Sequence, residues 1–240
     1  MNLQAIFDNF DSLLDAPNST KMIRRMILNL AFLGELVPQL PDEGTARALL
    51  KRIESVKNAQ VNNGKAEKLP PFNPDETQYE LPITWEWVRL GHVVEYDCAQ
   101  KVTPHQINDD SWLLQLEDIE KDSSRIIQKL TFADRKSKSA KAKFAAGDVL
   151  YGKLRPYLNK VIIADEDGYC TTEIVALRGY FGIESRFLMY ALKRPQFIAY
   201  INAKSYGVKM PRLGSDDARL SPFPLPPLEE QKRIATKIDE

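Results

Sequence analysis

The chain has 240 residues, with 33 Lys and Arg balancing 33 Asp and Glu, 43% hydrophobic and 28% charged side chains. This composition sustains a globular core and excludes disorder and collagen-like repeats; at roughly 150 residues per domain, one large unit or two modest ones fit, and two are expected. The longest largely apolar run, Met26–Leu33 with Asn29 inside it, falls far short of the ~20 residues that cross a bilayer, and no signal peptide precedes it. Cys98 and Cys170 are too few for a disulfide framework, so a cytoplasmic protein with reduced thiols and no membrane partner is expected.

In chain order, Leu3, Ile6, Phe7, Phe10, Leu13 and Leu14 recur at helical spacing and stop before Ala16-Pro17, because the residue before a proline is held out of the helical region. Asn18 or Ser19 caps a second helix, whose apolar face is Met22, Ile23, Met26, Ile27, Leu30 and Leu33, with Gly34 as a left-handed stop. Thr45 opens a third helix carrying Leu49, Leu50, Ile53 and Val56. From Lys57 to Pro82 the period is lost, the chain turns polar, and Pro70, Pro71, Pro74 and Pro82 mark an extended connection.

Beyond Pro82 the apolar runs shorten to strand length and gain β-branched and aromatic residues. Trp85–Leu90, Trp112–Leu116, Arg125–Phe132, Val149–Tyr151, Val161–Ala164 and Ile174–Leu177 are the expected strands. Helical patterns follow at Ser185–Lys193 and Gln196–Ala203. Prolines 224, 226 and 227 then lead into a last helix, where Leu228, Gln231, Ala235 and Ile238 take the narrow spacing of an opening coiled coil. The expected fold class is α+β (mixed): a helical region over residues 1–60, a linker over 61–80, a mixed α/β unit with a twisted sheet over 81–224, and the start of a coiled-coil helix over 225–240.

The zero net charge hides a strong local imbalance. Lys121–Lys160 carries eleven bases against three acids, and Lys193–Arg219 six against two. Catalytic patterns are missing by comparison. No closely spaced glycine pair follows a strand, as a bound methyl-donor cofactor needs, and Pro70-Pro71-Phe72 is preceded by Leu69, which accepts no hydrogen bond from a flipped base. No GxxxxGK[ST] loop occurs. Pro74-Asp75 and Asp134-Arg135-Lys136 are too loosely spaced for a metal nuclease, and His92, His105, Cys98 and Cys170 lack the spacing of metal ligands. The residues therefore read as non-catalytic, with no metal and no cofactor held in this chain.

What stands out instead is Phe144–Lys160, where a strand gives way to cations interleaved with aromatics. Lys and Arg neutralise phosphate, Arg also forks onto guanine, Asn pairs with adenine, and Tyr meets sugar or base. Lys136, Lys138, Lys141 and Lys143 form a tight cluster with small spacers, expected as a flexible loop over a polyanion. Ser205–Gly214 is a second basic loop punctuated by glycines. The candidate DNA-binding set is Lys136, Lys138, Lys141 and Lys143 for phosphate, Lys153, Arg155, Tyr157, Asn159, Tyr206, Lys209 and Arg212 for groove and base edges, and Lys204 with no finer role. A solvated outer face is the competing reading, and for Arg155 a buried pair with Asp148 or Glu173.

The segments MIRRMILNLAFLGELVPQ, ALLKRIES, YELPITWEWVRLG, GDVLYGKLRPYLNKVIIA and FPLPPLEEQKRIATKIDE, in that order, resemble the DNA specificity (S) subunit of type I restriction-modification systems. The resemblance implies a target-recognition domain over Glu80–Phe223, reading one half of a bipartite double-stranded DNA site, and a spacer helix from Pro226. It implies two protein partners: a methylation subunit that carries S-adenosylmethionine and a restriction (motor-nuclease) subunit. This sequence departs from the pattern in having one recognition domain and a barely begun spacer. A fragment, a shortened subunit and a self-pairing half-subunit all remain open. A protein-interaction module or decoy without DNA preference, and a self-contained metal nuclease, are the rival functions.

Overall fold

The computed structural model describes residues 19–61, 69–77 and 79–240, so the helix expected over Leu3–Leu14 and the cap at Asn18 lie outside it. Helix α1 (Ser19–Leu33) ends as its glycine requires: Gly34 takes φ 76°, and the amides of Gly34 and Glu35 turn back onto the carbonyls of Ala31 and Leu30. Helix α2 (Ala46–Val61) starts at Thr45, whose Oγ1 accepts from the Ala48 amide at 3.2 Å.

The remaining elements follow as β1 (Glu86–Arg89), α3 (Leu90–Val93), β2 (Val94–Tyr96), β3 (Gln100–Val102), β4 (Leu113–Leu114), α4 (Phe132–Arg135) and β5 (Lys141–Phe144). After these come β6 (Val149–Gly152), β7 (Val161–Ile163), β8 (Gly168–Cys170), β9 (Ile174–Gly179), α5 (Ser185–Lys193) and α6 (Pro195–Lys204). Helix α7 (Ser215–Arg219), β10 (Pro222–Leu225) and α8 (Leu228–Asp239) complete the chain. The α+β class holds, with the strands divided among a β1-β10 ribbon, an antiparallel sheet of order β2-β9-β6-β7 and a mixed sheet of order β3-β5-β8-β4.

Both faces of the β2-β9-β6-β7 sheet are covered, which explains why its strands read as continuous apolar runs. Val149, Tyr151, Val175 and Leu177 point into a core shared with Phe32 of α1, Ile53 of α2, Phe187 of α5 and Ile234 of α8. Leu150, Ile174 and Ala176, on the opposite face, pack with Trp112, Ala142, Phe144 and Cys170 of the second sheet and its approaches. The result is three layers, with helices on one sheet and that sheet on another. Helices from both ends of the chain thus enter the core of the central sheet.

The expected strand over Arg125–Phe132 does not form. Asp118, fully buried, accepts from the Gln115 amide and the Gln128 side chain, each at 2.7 Å, and from the Arg135 guanidinium. The chain wraps around this carboxylate, leaving only isolated bridges at Ile126 and Thr131, and Thr131 with Asp134 forms the capping box that starts α4. A buried carboxylate with three donors outcompetes a ladder that would leave it unsatisfied.

Candidate nucleic-acid interface

Two basic loops that are fifty residues apart in sequence lie side by side. The first connects β6 to β7: Arg155 (φ 50°) and Asn159 (φ 51°) bracket a single 3-10 turn over Pro156–Leu158. The second follows α6, where Tyr206 and Arg212 exchange both backbone hydrogen bonds, at 3.1 and 2.9 Å, and close a hairpin over residues 207–211 with Gly207 at φ 99°. The Arg155 amide donates to the Pro211 carbonyl at 2.7 Å and the Leu213 amide to the Lys153 carbonyl at 3.0 Å, so the loops are stitched backbone to backbone. Below them Arg212 forks onto Glu173 at 3.1 and 2.7 Å.

The stitched loops leave a basic and aromatic surface. Arg155 and Lys209 are exposed, and neither side chain has a hydrogen bond or ion pair among the described residues. Tyr157 is 48% exposed and Tyr206 63%. Lys204 is exposed in the last turn of α6, and Lys153 is half-buried where β6 ends. The alternative of a buried Arg155 pair is overturned, because both acids are engaged elsewhere. Asp148 is held by Arg178 at 2.8 and 2.9 Å, and Glu173 by Arg212.

Two predicted contact residues turn inward. Asn159 is buried, with its Oδ1 lacking a partner among the described residues, and occupies a left-handed position that asparagine tolerates better than most residues. Its side chain is not presented to an adenine in this conformation. Lys141 is also buried: its ammonium donates to the Ser139 carbonyl at 2.6 Å and hydroxyl at 2.7 Å, and desolvation lowers its pKa. The expected flexible lysine loop is half strand, with Lys141 and Lys143 on β5. Lys136, Lys138 and Lys143 remain exposed; Lys143 stands opposite Gln100 and Tyr169 on the outer face of the second sheet.

A third segment, the head of the basic Lys121–Lys160 block, joins the face. The Asp122 amide donates to the Leu158 carbonyl at 3.2 Å, which sets exposed Lys121 beside the first loop. Asp122 and Ser124 both sit at φ 64°, and the Lys193 ammonium holds this turn by donating to the Asp122 carbonyl at 2.8 Å and to the Ser124 hydroxyl. Desolvation, aided by the charge of Arg24 and opposed by Asp122, lowers the Lys193 pKa to about 8. Below pH 8 the lysine is charged in both folded and unfolded chains, and the full penalty of burying it is present. Between pH 8 and the unfolded value near 10.5 the folded chain binds fewer protons, so stability rises with pH. Urea unfolding at pH 7, 8.5 and 9.5 checks this: the rise should flatten in Lys193→Met, and equal slopes in both proteins would refute the assignment.

Among the described residues, no three His, Cys, Asp or Glu side chains cluster so as to hold a metal ion, and no helix is long and apolar enough to cross a membrane.

The layered fold has a known counterpart. Residues 82–240 match the family described as type I restriction modification DNA specificity domain, and the chain belongs to that family. The type I restriction enzyme EcoAI specificity subunit of Escherichia coli is 29% identical over 264 residues, covering 100% of this chain and 42% of that protein. The EcoEI specificity subunit of the same organism is 26% identical, with 100% and 43% covered. In structure, the HsdS subunit from Thermoanaerobacter tengcongensis matches with a TM-score of 0.56 and 29% identity, over 68% of this chain and 43% of that one. The chain thus spans less than half the length of the curated relatives it matches.

Proposed function

We propose that this chain gives a type I restriction-modification system its DNA sequence specificity, reading one half of a bipartite target through the stitched loops. The observation that carries the reading is the pairing of the 153–159 and 206–212 segments, which sets exposed Arg155 and Lys209 beside Tyr157 and Tyr206 on one braced surface. Arginine and lysine there suit guanine edges or phosphates, the tyrosines suit sugar or base, and Lys136, Lys138 and Lys143 suit the flanking phosphates. Family membership supports the same reading.

In this proposal the chain is itself non-catalytic and works in the cytoplasm. It positions a methylation subunit, which carries S-adenosylmethionine and modifies adenine, and a restriction subunit, which cuts. Helix α8 would begin the spacer that sets the distance between half-sites. The test is base-resolved adenine methylation in cells holding the companion methylation subunit, with and without this gene. A methylated motif that depends on the gene is the expected result. An inverted repeat would identify a self-paired half-subunit, and an asymmetric site a partner recognition domain. Capture of the methylation subunit with no new motif would replace this reading by that of an interaction module.

A further inference from the structure

The apex of the second loop is apolar where a solvated turn favours polar residues. Val208 is 101% exposed and Met210 52%, and they flank Lys209. A single exposed aliphatic residue needs no explanation, but here two lie at one tip, next to the half-exposed rings of Tyr206 and Tyr157. The tip is also braced. Gly207 permits the tight reversal, with a Cβ placed there standing 3.3 Å from the Met210 carbonyl oxygen. The paired backbone of Tyr206 and Arg212, the Arg155–Pro211 bond and the Arg212–Glu173 fork hold its stem. Apolar side chains on a braced stem with cations beside them complement a groove whose walls are phosphate and whose floor is stacked bases.

We infer that Val208 and Met210 form a wedge that enters a groove of the bound duplex and unstacks one base step, flanked by the contacts that Lys209 and Arg155 make. The inference rests on the reading of this face as the DNA contact and specifies how that contact is made. Apolar wedges of this kind trade stacking at one step for a bend that brings more backbone against the protein. Selectivity then extends to the deformability of a step, with pyrimidine–purine steps favoured.

The test uses the full chain assembled with its methylation subunit and a duplex that the assembly protects from nuclease. 2-Aminopurine is placed one position at a time through the footprint. Expected is enhanced fluorescence at one step, lost in Val208→Ser/Met210→Ser and retained in Val208→Leu/Met210→Leu, with the dependence of affinity on salt unchanged because the cations remain. The bend measured by end-to-end energy transfer should fall in the serine variant only. Enhanced fluorescence that survives in the serine variant, or a footprint in which no step brightens, overturns the wedge and leaves the DNA reading standing. If no duplex is protected by the wild-type assembly, the DNA reading fails and the wedge with it; apolar contact with a protein partner would then account for the tip.

Discussion

Replacing Arg194 by Ala should destabilise the fold by about 3–5 kcal/mol, the range for removing a large, fully buried side chain. Arg194 is 1% exposed and has no carboxylate partner among the described residues. Its guanidinium donates to the Ala191 carbonyl at 2.9 Å and to the Pro222 carbonyl, and it lies 5.7 Å from the ring centres of both Phe32 and Phe197. Desolvation lowers its pKa to about 10, so at neutral pH the charge is retained and is stabilised by carbonyl dipoles and ring faces. One side chain therefore ties α1, α5, α6 and β10 together. Alanine would leave a cavity and deprive two buried carbonyls of their donors. Arg194→Met should recover part of the loss, because an unbranched stem refills the space without a buried charge. Urea unfolding of the three proteins measures this, and a loss below about 1 kcal/mol for the alanine variant would show the site collapsing freely.

The second large effect concerns binding. Removing both Arg155 and Lys209 should weaken DNA affinity by roughly thirtyfold or more, at about 1–3 kcal/mol for each lost contact, and relax the preference at particular bases. Lys136→Ala with Lys138→Ala should instead weaken all sequences alike and lower the salt slope by about one per phosphate contact. Lys141→Ala belongs to neither class, since its ammonium is spent on Ser139; it should cost stability and leave the salt slope intact. Fluorescence anisotropy of target and scrambled duplexes across a salt series separates the three patterns. If the Arg155/Lys209 variant weakened both duplexes equally, these residues would be phosphate anchors and not readers.

Much of the scaffold was legible because burial on both faces leaves a strong trace. Val149–Tyr151 and Ile174–Leu177 lie within strands of the central sheet, Val161–Ala164 overshoots a third by one residue, and Gly34 ends α1 through its left-handed backbone. The second sheet was harder to read. Its β5 is Lys-Ala-Lys-Phe, in which cations alternate with apolar residues, so a strand exposed only at Lys143 passes for a basic loop. The Arg125–Phe132 segment carried a good strand pattern and lost to a long-range demand, the satisfaction of Asp118. For the site, composition located both basic loops but not their union, which is made by backbone bonds that side-chain identity does not announce. The inward turn of Asn159 and Lys141 was equally hidden, because both types favour water until a particular turn encloses them. Val208 and Met210 give no signal of their own within a stretch dominated by its charges.

The stitched loops also separate two kinds of change that a protein can undergo. None of the side chains of Arg155, Tyr157, Tyr206, Val208, Lys209 or Met210 belongs to either core cluster, while the bonds that hold the loops in place run through backbone atoms alone or lie beneath them. Substitutions on this surface can accumulate without eroding the fold as long as position 155 keeps a residue that tolerates its left-handed backbone and positions 155 and 206 keep their amides. Within those bounds such a chain can drift to a new ligand preference by single steps, each leaving a folded and testable intermediate, and a library varied at these six positions should fold as a population.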